Sequence, residues 1–178
     1  MPEDSRTNVI RRYFAGITEH TFHADLGVTD TQMVDYMTDL LTRFIRSDAV
    51  YRVRSLTGRP LAEVAAMLME AEERIGDAKR EVHRHVGDFI LFWAGCYPES
   101  LPKMKKARSP DALLDYASQA KRSYRIASEI PTDPQTPAPG PVLHRISDEF
   151  ELCVYGLGEV RRQWQSKDDA PEGPFLLG

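Results

Sequence analysis

The chain has 178 residues, 42% of them apolar and 28% charged, with a formal charge of −4 and two cysteines. These values suit one globular domain with its own hydrophobic core, and they exclude a disordered, collagen-like or disulfide-stapled chain. A net negative charge also excludes a global field that would draw nucleic acid, so phosphate binding would need a local basic patch.

The chain opens acidic, Met1-Pro2-Glu3-Asp4, with no apolar run behind it, which speaks against a secretory or transit segment and for a cytoplasmic protein. Its longest apolar stretch, residues 89–97, is about half of the ~20 residues a helix needs to cross a bilayer. Cys96 and Cys153 lie far apart in apolar surroundings and read as buried free thiols.

In chain order, Val9, Ile10, Tyr13, Phe14 and Ile17 recur at helical spacing and predict a first helix over about 8–21. The second begins at a capping box of Thr29 and Gln32, with Val28 and Met33 placed as a hydrophobic staple. Its stripe is Met33, Met37, Leu40, Leu41 and Phe44, opposite Asp35, Asp39, Thr42 and Arg46, so it is expected to pack by one side. Residues 51–53 are the one weak candidate for extended chain.

Pro60 at a first-helical position predicts a third helix to about Arg74, with Leu61, Val64, Ala65, Leu68 and Ile75 facing inward. Residues 77–94 form a fourth helix, amphipathic at first and apolar all round from Phe89, as a central helix is. Ser109-Pro110-Asp111 reads as N-cap, first-turn proline and acid of a fifth helix, whose stripe of Leu113, Ala117, Ala120, Tyr124 and Ala127 implies close backbone approach. Five prolines within residues 131–141 predict a stiff connection reaching ~34 Å if extended at about 3.1 Å per residue. A last helix, 142–165, carries Leu143, Ile146, Phe150, Cys153, Val154, Leu157, Val160 and Trp164 on one side. The result is an all-α irregular bundle of five to six helices, one domain over 1–165 with the proline-rich linker inside it and a flexible tail over 166–178.

The chain has no glycine-rich phosphate loop, HExxH, CxxC or Gly-x-Ser-x-Gly elbow. Gly156 and Gly158 lie inside the last helix, where they let another helix come close. Leu61-Ala62-Glu63-Val64-Ala65 has a helix-turn-helix flavour, but Glu70, Glu72 and Glu73 follow where a recognition helix would meet phosphate, which counts against nucleic acid as a partner.

His144, Asp148, Glu151 and Tyr155 align on the last helix within about 60°, yet about 150° from its apolar stripe, so that row is read as solvated. On the fourth helix Glu81, His85, Asp88 and Phe92 align beside the apolar stripe, and Asp88 is expected to be inward. Glu72, between Leu68 and Ile75, and Glu149, beside Cys153, are expected to point inward too. Inward carboxylates need partners. The reading preferred here is a structural network in which His85, Arg84 or a tyrosine hydroxyl serves Asp88 and Glu72. The alternative is a divalent metal held by Glu72, His85, Asp88 and Glu149, or a small-molecule site, although the Glu-x-x-His pairs of carboxylate bundles do not occur.

Lys103, Lys105, Lys106 and Arg108 in one loop, with Lys121, Arg122 and Arg125 on the next helix, form a candidate patch for an anion or acidic partner. Together these features point to a non-enzymatic helical module, without cofactor or membrane, that binds a protein partner or assembles with itself.

Overall fold

In the computed structural model the described residues are 2–45, 63–104, 111 and 115–168. Among them the fold is all-α, with no strand. The order is α1 (Pro2–Glu19), a π-turn (His20–Asp25), α2 (Thr31–Phe44), α3 (Val64–Glu72), α4 (Gly76–Cys96), a 3₁₀ turn (Pro98–Ser100), the short α5 (Leu101–Met104), α6 (Tyr116–Glu129), α7 (Gly140–Asp148) and α8 (Phe150–Asp168). No helix among the described residues is long and apolar enough to cross a membrane.

The central element is α4, as its composition predicts. It packs chiefly against α6 and α8, with α3 on a third side, and every residue from Val82 to Phe92 is buried. The α8 stripe also falls inward: Phe150, Cys153, Leu157, Val160 and Trp164 are buried and Val154 packs on them. Each such large apolar side chain contributes roughly 1.5–3 kcal/mol of burial free energy. Close approach of α4 to α8 depends on small residues. A Cβ on Gly95 would lie 2.6 Å from that of Leu157, and Gly158 faces the Gly95 carbonyl. Both cysteines are buried free thiols, and burial pushes each pKa up to about 12, so neither is a thiolate near neutral pH.

Several element boundaries differ from the sequence expectation. The first helix begins by Pro2 and runs into a π-turn through Asp25, closed by the Leu26 N–H on the Thr21 carbonyl at 3.0 Å. The cap of α2 is Asp30 and not Thr29. The Asp30 carboxylate accepts from the N–H groups of Gln32 and Met33, and its charge complements the helix dipole where a hydroxyl could not. Nor does α2 pack by one side. Tyr36, Thr38 and Thr42 are buried with the predicted stripe, because the Thr38 and Thr42 hydroxyls donate to the carbonyls four residues back and so enter the core without an orphaned donor.

The third helix ends earlier than its apolar period predicts, at Glu72. Residues 60–62 lie outside the described residues, and α3 buries Val64, Met67, Glu70 and Ala71. Ile75 is 88% exposed because the helix has already ended at Glu72, so extending its period to 75 has no meaning. The start of α3 is capped from a distance. Asp111 accepts from the N–H groups of Val64 and Ala65 and from the Tyr116 hydroxyl. Asp111 is therefore not the first-turn acid of the fifth helix; Asp115 caps α6, and Ser109, Pro110 and Leu113 lie outside the described residues. Of the predicted α6 stripe, Ala120, Tyr124 and Ala127 are buried but Ala117 is exposed.

The proline-rich connection is not extended. Asp133 accepts from Gln135 N–H through its side chain and from Thr136 N–H through its carbonyl, which turns the chain back and lays α7 along α6. The predicted last helix is broken at Glu149 into α7 and α8. Residues 51–53 and 169–178 lie outside the described residues.

Candidate functional site

Asp88 stands in the middle of α4 and is 1% exposed. Three helices supply its partners. From α2, Tyr36 and Arg43 are seven residues apart and so share a face. The Tyr36 hydroxyl donates to Asp88 Oδ1 at 2.7 Å and Arg43 Nη2 donates to Oδ2 at 3.0 Å. From α6, the Tyr124 hydroxyl donates to Oδ1, also at 2.7 Å. Arg84, one turn earlier on α4, places Nε 3.8 Å from Oδ2 and donates it to the Tyr36 oxygen at 3.0 Å, so Arg84, Tyr36 and Asp88 form a relay of donors.

Tyr124 reaches Asp88 because the preceding residue is glycine: its ring covers Gly87, 2.8 Å from where a Cβ would be. Glu81 completes the outer edge, with Oε2 3.3 Å from Arg84 Nη1 and Oε1 3.8 Å from Arg80 Nη1. Arg43, Glu81, Arg84, His85 and Asp88 line a shallow recess.

The electrostatics decide the protonation states. Burial alone would raise the Asp88 pKa, and removing one ion from water costs several kcal/mol. Against it act two guanidinium groups, each worth roughly 4 kcal/mol at about 4 Å in an effective dielectric near 20, and two hydroxyl hydrogen bonds. The favourable contributions win, and the Asp88 pKa is held below its ordinary value. Burial and the Asp88 charge push the pKa values of Tyr36 and Tyr124 well up, which keeps both hydroxyls as donors. A carboxylate ionised in this way, with both oxygens accepting from held donors, is poorly placed to act as a general base.

The four sequence candidates for an inward cluster are not brought together. Asp88 and His85 are buried, but Glu72 and Glu149 are exposed. Glu72 lies on the outer side of α3, whose buried carboxylate is Glu70, paired with Arg74 at 3.2 Å. Glu149 sits at the α7–α8 break, where the backbone leaves helical geometry and turns the side chain out. His85 does not bond Asp88; its ring stacks on Phe44, with centroids 5.8 Å apart and planes at 17°. Among the described residues no group of three or more His, Cys, Asp or Glu side chains is arranged to hold a metal ion.

Of the three partners expected for Asp88, Arg84 and a tyrosine hydroxyl are found beside it and His85 is not, while Arg43 and the identity of the tyrosines are not foreseen from the sequence. The one local mark is Gly87, since a glycine inside a helix signals close approach of another element, and it is there that the Tyr124 ring lies.

The helical part of the basic patch is largely neutralised. Lys121 pairs with Glu151 and Arg125 with Asp148 at 2.5 Å, while Arg122 is exposed. Lys105, Lys106, Arg108 and the side chain of Lys103 lie outside what is described. His144, Asp148, Glu151 and Tyr155 are all exposed, as their angle to the stripe implied.

Compared with protein families, curated proteins and solved structures, the chain matches none.

Proposed function

We propose that the chain is a non-enzymatic helical module that binds a protein partner or assembles with itself. The observation that carries this reading is the contrast between its polar and apolar residues. The inward carboxylate Asp88 is engaged through both oxygens by side chains of the fold, whereas two large apolar side chains at the α3–α4 corner, Met69 and Ile75, are 73% and 88% exposed. Apolar side chains exposed close together in sequence are what a docking partner would cover, and the reading rests on Met69 and Ile75 acting as one face. The Asp88 cluster then serves to fix how α2, α4 and α6 sit relative to one another.

A photoreactive residue introduced at position 75 tests the proposal. Protein adducts, either a second copy of the chain or another protein, are expected at 75 and not at Asp35, which is exposed on α2. Ile75→Ser and Met69→Ser should weaken a measured association without lowering thermal stability. Absence of adducts, together with a stoichiometric divalent metal in protein purified without chelator, would overturn the reading.

A further inference from the structure

The corner where α3 ends and α4 begins exposes charge as well as the apolar side chains of Met69 and Ile75. The chain leaves α3 at Glu72, runs extended through Ile75 and turns at Gly76, whose φ of +59° suits glycine. Glu72 and Glu73 follow Met69 by three and four residues and so lie on its side of the helix. Both are exposed, as is Asp77 just past the turn. Among the described residues none of these three carboxylates is in an ion pair. The neighbouring Arg74 is tied to Glu70 at 3.2 Å, and Lys79 is half-buried, so the water-facing charge of the corner is negative.

Two of these carboxylates stand where the fold has least use for them. Glu72 and Glu73 close α3 at its C-terminus, the negative end of the helix dipole, and no basic residue shares that last turn. A lysine or arginine there would stabilise the helix. Acidic charge set against the dipole, beside exposed apolar side chains, is a local cost that a positively charged partner would remove.

The signs also decide the class of partner. Nucleic acid and an anionic membrane both present phosphate, which the three carboxylates repel. A bare cation satisfies the charges but leaves Met69 and Ile75 in water. We propose that the α3–α4 corner receives a basic protein segment, in which an apolar side chain covers Met69 and Ile75 while flanking lysines or arginines meet Glu72, Glu73 and Asp77. This inference rests on the interaction function proposed above and names the chemistry of the partner.

The test follows the adducts formed by a photoreactive residue at position 75, in an extract of the source cells, to the segment they join. Each captured segment is identified by mass spectrometry, made as a peptide and titrated onto the purified full chain. The expected segment carries more lysine and arginine than aspartate and glutamate. Its affinity should fall severalfold between about 0.1 M and 1 M salt, as the Debye length shrinks from ~10 Å to ~3 Å. In Glu72→Lys/Glu73→Lys it should fall about tenfold, while thermal stability is kept or raised because both new cations suit the helix end. Opposite responses of binding and stability separate a docking role from a structural one. Glu72→Gln/Glu73→Gln, which removes the charges without reversing them, should show a smaller loss of affinity at unchanged stability. A neutral or acidic segment, from another protein or from a second copy, would overturn the basic partner and leave the interaction reading standing. So would an affinity that ignores both salt and charge reversal. Absence of adducts at 75 would remove the face on which the inference rests.

Discussion

The ring of Tyr124 occupies the space a side chain at Gly87 would need, and the same placement delivers its hydroxyl to the neighbouring Asp88 at 2.7 Å. Packing and polar satisfaction at this point are one arrangement. Gly87→Ala would gain up to about 1 kcal/mol in helix propensity. It would also force the ring away, at about 1–3 kcal/mol of overpacking, and weaken a buried hydrogen bond worth a further 1–3 kcal/mol or so. The expected net loss is about 2 kcal/mol, read from the urea midpoint at constant m-value. Equal or higher stability in Gly87→Ala would show that the ring is not held there.

Asp88 balances two guanidinium groups, so substitutions should rank by how much charge and how many acceptors they remove. Asp88→Asn keeps one oxygen for the tyrosines but turns an amide donor or an uncharged oxygen toward Arg43, leaving Arg43 and Arg84 without a counter-charge. A loss of about 3–5 kcal/mol is expected. Asp88→Leu should cost more, since the Tyr36, Tyr124 and Arg43 donors would all be orphaned. Pairing Asp88→Asn with Arg43→Met in a double-mutant cycle should recover part of the loss. Strict additivity would argue against direct coupling.

How far the fold can be read from the sequence depends on where each determinant lies. The α8 stripe and the surrounded α4 are repeated local signals, and both are found as predicted. Glu72 and Glu149 are misread for a shared reason: an angle around a helix is meaningful only while the helix continues, and α3 stops at Glu72 while the last helix breaks at Glu149. Asp111 shows the other limit. Its carboxylate caps a helix 47 residues earlier in the chain, a relation that no local pattern encodes. Asp88 was legible as inward because a charge among apolar residues must find partners; Arg43 was not, because nothing in the second helix marks it apart from any other arginine on a half-buried face.

Acid should act on the fold through the Asp88 cluster. The folded-state pKa of Asp88 is depressed, so its contribution is complete above the unfolded value of about 3.9 and is lost as pH falls from there through the folded value. Stability measured by urea titration should drop steeply below about pH 4, and Asp88→Asn should flatten that limb while lowering the plateau above it. An acid limb of unchanged steepness in Asp88→Asn would mean that other carboxylates, and not this one, drive acid unfolding.

Substitution distinguishes three candidate caps. Thr29→Ala should be close to neutral, since the α2 cap hydrogen bonds are made by Asp30. Asp30→Ala should cost about 1 kcal/mol, because two first-turn N–H groups lose their acceptor. Its ion pair with Arg145 of α7 should add little, since Arg145 is largely exposed. Asp111→Ala should cost more than either, about 2 kcal/mol. Asp111 is 1% exposed, and its loss orphans two N–H groups of α3 and the Tyr116 hydroxyl at once. The effect should also be local. Amide exchange in Asp111→Ala should show α3 opening first while α4 and α8 keep their protection, because α3 has only nine residues and leans mainly on α4. Asp111→Asn, which keeps one oxygen for the backbone donors, should recover about half of the loss. If Thr29→Ala proves as damaging as Asp30→Ala, the start of α2 is misassigned. If Asp111→Ala leaves α3 protection intact, the distant cap is not what holds that helix in place.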